Sequence, residues 1–153
     1  MSNAEISEIL DKVRSESRTI LTEYESKNLL EYWKIPVTES ILAKDEEEAV
    51  SASRRLKYPV VLKVSSPDIS NKSEVEGVQV GLTSEIEVRR GFRDVVENAN
   101  DYLDNPEIQG VLVQEYLPGE IEIQVEVRED HSFGPVLSFG IQEPCTKLFG
   151  DES

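Results

Sequence analysis

Two lysines joined by a hydroxyl-rich loop are the residues of this chain whose placement could do chemistry. Lys63 stands in the short β-branched run Val60-Val61-Leu62-Lys63-Val64, where another apolar residue would be expected. Ser65-Ser66-Pro67-Asp68-Ile69-Ser70-Asn71-Lys72-Ser73 follows, bringing hydroxyls, backbone amides and Lys72 to the same side. A lysine so placed either snorkels out at a strand end or reaches into a pocket holding an anion. Two ammonium groups flanking a Ser/Asn-rich turn suit a phosphate.

The rest of the chain makes that pairing stand out. It has 153 residues, 31 of them acidic and 16 basic, for a net charge of −15. So acidic a chain lacks the basic footprint that a nucleic-acid backbone needs. A single nucleotide is still admissible, since a pocket needs only a few local cations. The one cysteine, Cys145, excludes an internal disulfide and points to an intracellular, cytoplasmic setting. No apolar run has the length of a transmembrane helix, and no signal-peptide core follows the start, so no membrane partner is expected. Ser2-Asn3-Ala4 resembles a cloning remnant and is set aside. A chain of this size can bury one core or form two small lobes.

The elements that must position the lysines follow from periodicity and caps. Residues 5–17 are expected to form a charged helix with Ile6, Ile9, Leu10 and Val13 on one stripe. Thr22 and Glu25 make a capping box for a helix carrying Leu29, Leu30 and Trp33, stopped by Ile35-Pro36. Residues 37–43 are expected as a strand. Asp45 and Glu48 repeat the capping pattern ahead of a helix with Ala49, Ala52 and Leu56 on one face. Ser84 and Glu87 repeat it again, opening the longest helix, whose stripe is Val88, Phe92, Val95, Val96, Ala99 and Leu103. Residues 77–82 return as a strand, 110–119 form a strand ending in a Pro-Gly turn, and 121–128 alternate as a half-exposed strand. A turn over 129–135 carries the only histidine, His131, and 136–140 form the last strand. Helices alternate with strands first and a strand meander follows, so the class is α+β, helices packed on a mostly antiparallel sheet.

Taken in order, Val61-Leu62-Lys63, Ser66 to Ser73, Gly77-Val78, Val113-Gln114-Glu115-Tyr116-Leu117-Pro118-Gly119, Glu122 and Phe133-Gly134-Pro135-Val136 resemble the ATP-grasp domain of ADP-forming acyl-CoA synthetases. The match is to the acetate–CoA ligase β subunit. The opening Leu21-Thr22-Glu23 through Ile35-Pro36-Val37 resembles the way that domain begins. The resemblance implies three parts: a remnant and charged helix over 1–20, a partial ATP-grasp-like domain over 21–140, and a divergent tail over 141–153. It implies ATP or ADP as ligand, with Lys63 and Lys72 at the phosphates. Gln114, Glu115 and Leu117 would form the hinge that reads adenine, and Glu122 would accept from the ribose hydroxyls. Each role has a bland counterpart: Lys63 as an ordinary strand-end lysine, Glu122 as a solvent-side residue.

Two departures from the family pattern bear on turnover. Where the family carries a histidine that relays a phosphoryl group, this chain has Asn71, whose amide cannot become a phosphoramidate. No catalytic residue is therefore assigned, and His131 reads as a surface turn residue. After Phe139-Gly140 the family continues into a segment with acidic metal ligands, whereas this chain reads Ile141-Gln142-Glu143-Pro144-Cys145 and ends at Ser153. No metal ligand is assigned, and Mg²⁺ is expected only if another segment completes the site. The chain is expected to be the nucleotide-binding portion of an ADP-forming acyl-CoA synthetase, inactive alone and completed by a complementary subunit or fragment. A non-catalytic nucleotide-binding or protein-interaction module is the alternative. An ATP-grasp relative acting on another carboxylate is a third.

Overall fold

The computed structural model describes residues 3–119 and 123–141. They divide into two compact units, one ending at Tyr116 and the other beginning at Leu117. The division falls within the stretch that the family resemblance marks as a hinge.

The first unit holds helices α1 (Asn3–Ser15), α2 (Glu23–Tyr32), α3 (Glu46–Leu56) and α4 (Glu85–Tyr102), with strands β1 (Ser40–Ala43), β2 (Val60–Ser65), β3 (Val78–Leu82) and β4 (Gly110–Glu115). The strands form one sheet in the order β1-β4-β2-β3, and every neighbouring pair is antiparallel. The second unit contains a hairpin of β5 (Ile123–Asp130) and β6 (Gly134–Ile141), also antiparallel. The α+β class and the antiparallel sheet stand as expected.

Side-chain alternation along β2 decides the layering. Val60 and Leu62 are buried with Val111 and Val113 of β4 against Ala49, Val50 and Ala52 of α3 and Val88 and Val95 of α4. Val64 is buried in a neighbouring cluster with Ile69, Val75 and Ala99. Lys63 has the opposite parity, so it does not interrupt the core after all. It lies on the other face of the sheet, where it meets Glu23 of α2. One face is thus an apolar core under α3 and α4, and the other carries the lysine.

The caps work as the sequence requires. Thr22 Oγ1 accepts from Glu25 N at 3.4 Å while Glu25 Oε2 accepts from Thr22 N at 2.8 Å, a complete capping box. Asp45 accepts from Glu48 N at 2.8 Å and Ser84 from Glu87 N at 3.3 Å. α2 departs from the simple amphipathic picture, for Leu30 and Trp33 are exposed. The strand expected over 37–43 begins only at Ser40. Pro36 has no N–H to give a ladder, and the Thr38 carbonyl accepts from Lys27 instead, at 3.3 Å. β4 ends at Glu115, before the Pro-Gly turn. In the hairpin the expected half-exposure is not found, because Ile123, Val125 and Val127 are exposed along with the polar side chains between them.

Candidate functional site

The loop over residues 66–77 is anchored at several points, and that anchoring places Lys72. Gly77 O accepts from Val64 N at 2.8 Å, and Gly77 N donates back to Lys72 O at 2.8 Å. Ile69 and Val75 are buried under the loop against Val64 and Ala99. Asp68 accepts from Glu107 N at 2.7 Å, tying the loop to the segment entering β4. Gly77 is required by space: a Cβ there would lie 2.6 Å from Val64 Cγ1 and 3.0 Å from Val75 Cγ2.

α2 supplies the facing wall. Its entry is fixed by the Thr22 cap and by Arg18, whose guanidinium donates to both Glu25 oxygens at 2.8 and 3.0 Å. This bidentate pair is the strong form of a charged hydrogen bond. Burial alone would raise the Glu25 carboxyl, but the bonds from Arg18 and Thr22 hold it below the usual carboxylate range. The first helical residue is Glu23, and Lys27 follows one turn later on the same face.

These elements bring three ammonium groups together. Lys63 Nζ lies 2.8 Å from Glu23 Oε1, and Lys72 Nζ lies 3.4 Å from Glu23 Oε2. Lys27 Nζ donates to Thr38 Oγ1 at 2.6 Å and to Gln114 Oε1 at 2.5 Å, and Lys63 makes a longer bond of 3.5 Å to the same Gln114 oxygen. Burial would raise the Glu23 carboxyl, but the Lys63 hydrogen bond and the charges of Lys63, Lys72 and Lys27 bring it below its ordinary value. Lys27 is shifted down, chiefly by burial, with Glu23 opposing and Lys63 adding to the shift. Each of the bridging side chains is about a fifth to a quarter exposed, so solvent reaches them. Beside the bridge is a pocket of about 90 Å³ lined by Thr22, Glu23, Ser65, Ser66, Ser70 and Lys72 among others. A single water needs roughly 10–15 Å³ by such a measure. The Ser65 hydroxyl is buried without a hydrogen-bond partner in the protein.

The residues predicted from sequence fall into two groups. Lys63, Lys72 and Gln114 come together, Gln114 through its side chain, since its main chain lies inside the sheet opposite Ser40 and Val61. Glu115 ends β4, where its carboxylate accepts from Glu39 N at 2.8 Å and its own N–H donates to Glu39 O. Leu117 begins the second unit and is exposed. Glu122 lies outside the described residues. Asn71 donates to Glu74 at 2.7 Å on the exposed rim of the loop. His131 sits exposed in the hairpin turn. Sequence reasoning missed Glu23 and Lys27. Their i,i+4 spacing beside the Thr22 cap was the available signal, but it looks the same as any solvated helix face. Among the described residues no group of three or more His, Cys, Asp or Glu could hold a metal ion.

A family model described as the ATP-grasp domain matches residues 12–153. The β subunit of acetate–CoA ligase (ADP-forming) I from Pyrococcus furiosus is 38% identical over 150 residues, covering 98% of this chain and 64% of that subunit. The 4-hydroxybutyrate–CoA ligase (ADP-forming) of Nitrosopumilus maritimus is 39% identical over 141 residues, which are 92% of this chain and 20% of that enzyme. Among solved structures, the dinucleotide-forming acetyl-coenzyme A synthetase 1 of Ca. Korarchaeum cryptofilum, in complex with coenzyme A, Ca-AMPCP and HgCl⁺, superposes with a TM-score of 0.85 at 43% identity. The likeness covers 94% of this chain and 63% of that one. The chain therefore spans from a fifth to under two thirds of the length of these relatives.

Proposed function

The chain belongs to the ATP-grasp domain family, and on that premise we propose that it is the nucleotide-binding portion of an ADP-forming acyl-CoA synthetase. The whole reaction is acid + CoA + ATP ⇌ acyl-CoA + ADP + phosphate. The observation that carries this reading is the convergence of Lys63 and Lys72 on one carboxylate, in a chain with a net charge of −15. In so acidic a molecule a cluster of ammonium groups marks a place prepared for a ligand anion.

The residues present give each part of ATP or ADP a partner. Lys63 and Lys72 neutralise phosphate oxygens, with loop amides adding donors. The main chain just past β4, at Leu117, is proposed to read the adenine edge, since that of Gln114 lies inside the sheet and the Glu115 and Tyr116 N–H groups already donate to Glu39 O and Pro59 O. Glu122 is proposed for the ribose hydroxyls. Phosphoryl transfer is mostly positioning and charge neutralisation. Mg²⁺ would supply the larger share of that neutralisation, with ligands from a complementary synthetase segment or subunit. A cytoplasmic setting goes with this reading, since ATP and coenzyme A are metabolites of that compartment. Among the described residues no helix is long and apolar enough to cross a membrane.

The second reading, a binding module without turnover, is favoured by Asn71. Its amide is engaged with Glu74 where the family pattern has a phosphoryl-carrying histidine.

Calorimetry with ATP and ADP tests the proposal. The wild-type chain is expected to bind weakly, and Lys63→Ala to bind about tenfold more weakly or worse, the loss of one charged hydrogen bond. Equal heats for the two proteins, or none from either, would remove the nucleotide reading. Binding that persists with no acid- or CoA-dependent ATP consumption, even after a complementary subunit is added, would select the module.

A further inference from the structure

Glu23 stands where a ligand anion would be expected. Its two oxygens take the two lysines that the nucleotide reading assigns to phosphate, Lys63 at 2.8 Å and Lys72 at 3.4 Å. We infer that Glu23 is a resident anion, a positioning residue that holds the lysines and that incoming polyphosphate must compete with. This rests on the lysine cluster being a polyphosphate seat.

The sign of its effect follows from the charges around it. Lys27, Lys63 and Lys72 all face Glu23 closely enough to act on its carboxyl. Without the carboxylate, three ammonium groups would share a partly buried space with the neutral Gln114 and Thr38 oxygens, the charges of Glu115 and Glu31 acting only on Lys27 among them. Such a set repels itself, and any anion that entered would relieve the repulsion. With the carboxylate present one of the three positive charges is offset and two of the lysines are already engaged, so a ligand must compete with Glu23 for them. An ammonium has three donors, so phosphate can also approach with Glu23 still in place, but then it meets a like charge nearby. By either route Glu23 opposes anion binding, and it opposes an anion of low charge more effectively than a polyphosphate, whose greater charge gains more from the lysines. The residue thus sets how much phosphate charge the site requires.

The capping geometry keeps this device in position. Glu23 is the first residue of α2, held by the Thr22–Glu25 box and the Arg18 pair behind it. A carboxylate at a helix N-terminus is also favoured by the helix dipole. Glu23→Gln keeps the side-chain length and removes the charge, while Glu23→Asp keeps the charge and shortens the reach.

Titration calorimetry of the full chain with inorganic tripolyphosphate and with inorganic phosphate tests the inference. Wild type is expected to take tripolyphosphate and to give no heat with phosphate at the same concentration. Glu23→Gln should bind tripolyphosphate about tenfold more tightly, equivalent to about 1.4 kcal/mol, and should take up phosphate measurably. Glu23→Asp should stay within about threefold of wild type, since the like charge remains. A measurement on the unaltered protein removes any dependence on the variants folding. The carboxyl carbon resonance of Glu23 should move as tripolyphosphate is added, with the same midpoint as the heat. Unchanged or weaker binding by Glu23→Gln, or a Glu23 resonance that stays still while tripolyphosphate binds, would show that Glu23 only props the lysines and would overturn the inference. No binding of tripolyphosphate by either protein would instead overturn the polyphosphate seat on which it rests. Tripolyphosphate binding as strong as ATP binding would leave Glu23 in its role and remove the adenine hinge.

Discussion

β2 and β5 are both antiparallel strands rich in β-branched residues, yet they end in opposite states. In β2, Val60, Val61, Leu62 and Val64 are all buried, and only Lys63 remains partly open. In β5, Ile123, Val125 and Val127 alternate with Gln124, Glu126 and Arg128, and all six are exposed. The difference lies in what surrounds each strand. β2 is an inner strand under two helices whose caps and small residues let them pack close, whereas among the described residues β5 has one partner, β6. Alternation in a sequence says which face of a strand is apolar. It does not say what covers that face.

The largest expected contrast is in stability. Leu62→Ala opens a void in a fully buried position and should lower the free energy of unfolding by about 2–5 kcal/mol. Val125→Ala should change it by about 0.5 kcal/mol or less. Urea unfolding followed by helical circular dichroism reads both, and comparable shifts would abolish the distinction between the two strands. A smaller contrast comes from glycine. Gly77→Ala forces a Cβ to within 2.6 Å of Val64 Cγ1, and overpacking of that kind costs about 1–3 kcal/mol. Gly140→Ala, in β6, meets nothing within 4 Å and should leave the unfolding midpoint in place. A destabilised Gly140→Ala would show that β6 is more crowded than β2's neighbours.

The weakest expected effect is on acid stability, and it belongs to the first unit. Glu25 titrates below its ordinary value of 4.5 when folded, so folding favours its ionised form. That stabilisation is complete above the ordinary value and is lost as pH falls through the lower folded-state value. The urea midpoint of wild type should therefore fall between about pH 6 and about pH 3, and Glu25→Gln should show a shallower fall over the same window. Identical slopes would mean that the Arg18 pair contributes nothing to this pH dependence.

Much of the first unit could be read from the sequence because its signals are local. Thr22 with Glu25, Asp45 with Glu48 and Ser84 with Glu87 each announce a helix start within four residues, and each helix is there. The strand order β1-β4-β2-β3 could not be read, since it depends on pairings such as Ile41 with Val113 that no nearby residue encodes. The site divides the same way. Lys63 and Lys72 are conspicuous as cations in an apolar run and a hydroxyl-rich loop. Glu23 and Lys27 are inconspicuous, because a charged i,i+4 pair ordinarily faces water. Only tertiary packing turns that face toward Lys63, 40 residues further along the chain.

One of the two end strands of the four-stranded sheet, β3, pairs with β2 through a register shift between Val60 and Leu62, and it carries Val80 with more than half of its surface open. An end strand with free amides and carbonyls is a template on which a foreign strand can assemble. A bulge breaks the regular spacing such a template needs and increases the local twist. Gly81, at φ +75°, bends the same edge again. The irregularity gives up some ladder regularity and leaves this edge, where Val80 is displayed, a poorer template for a foreign strand.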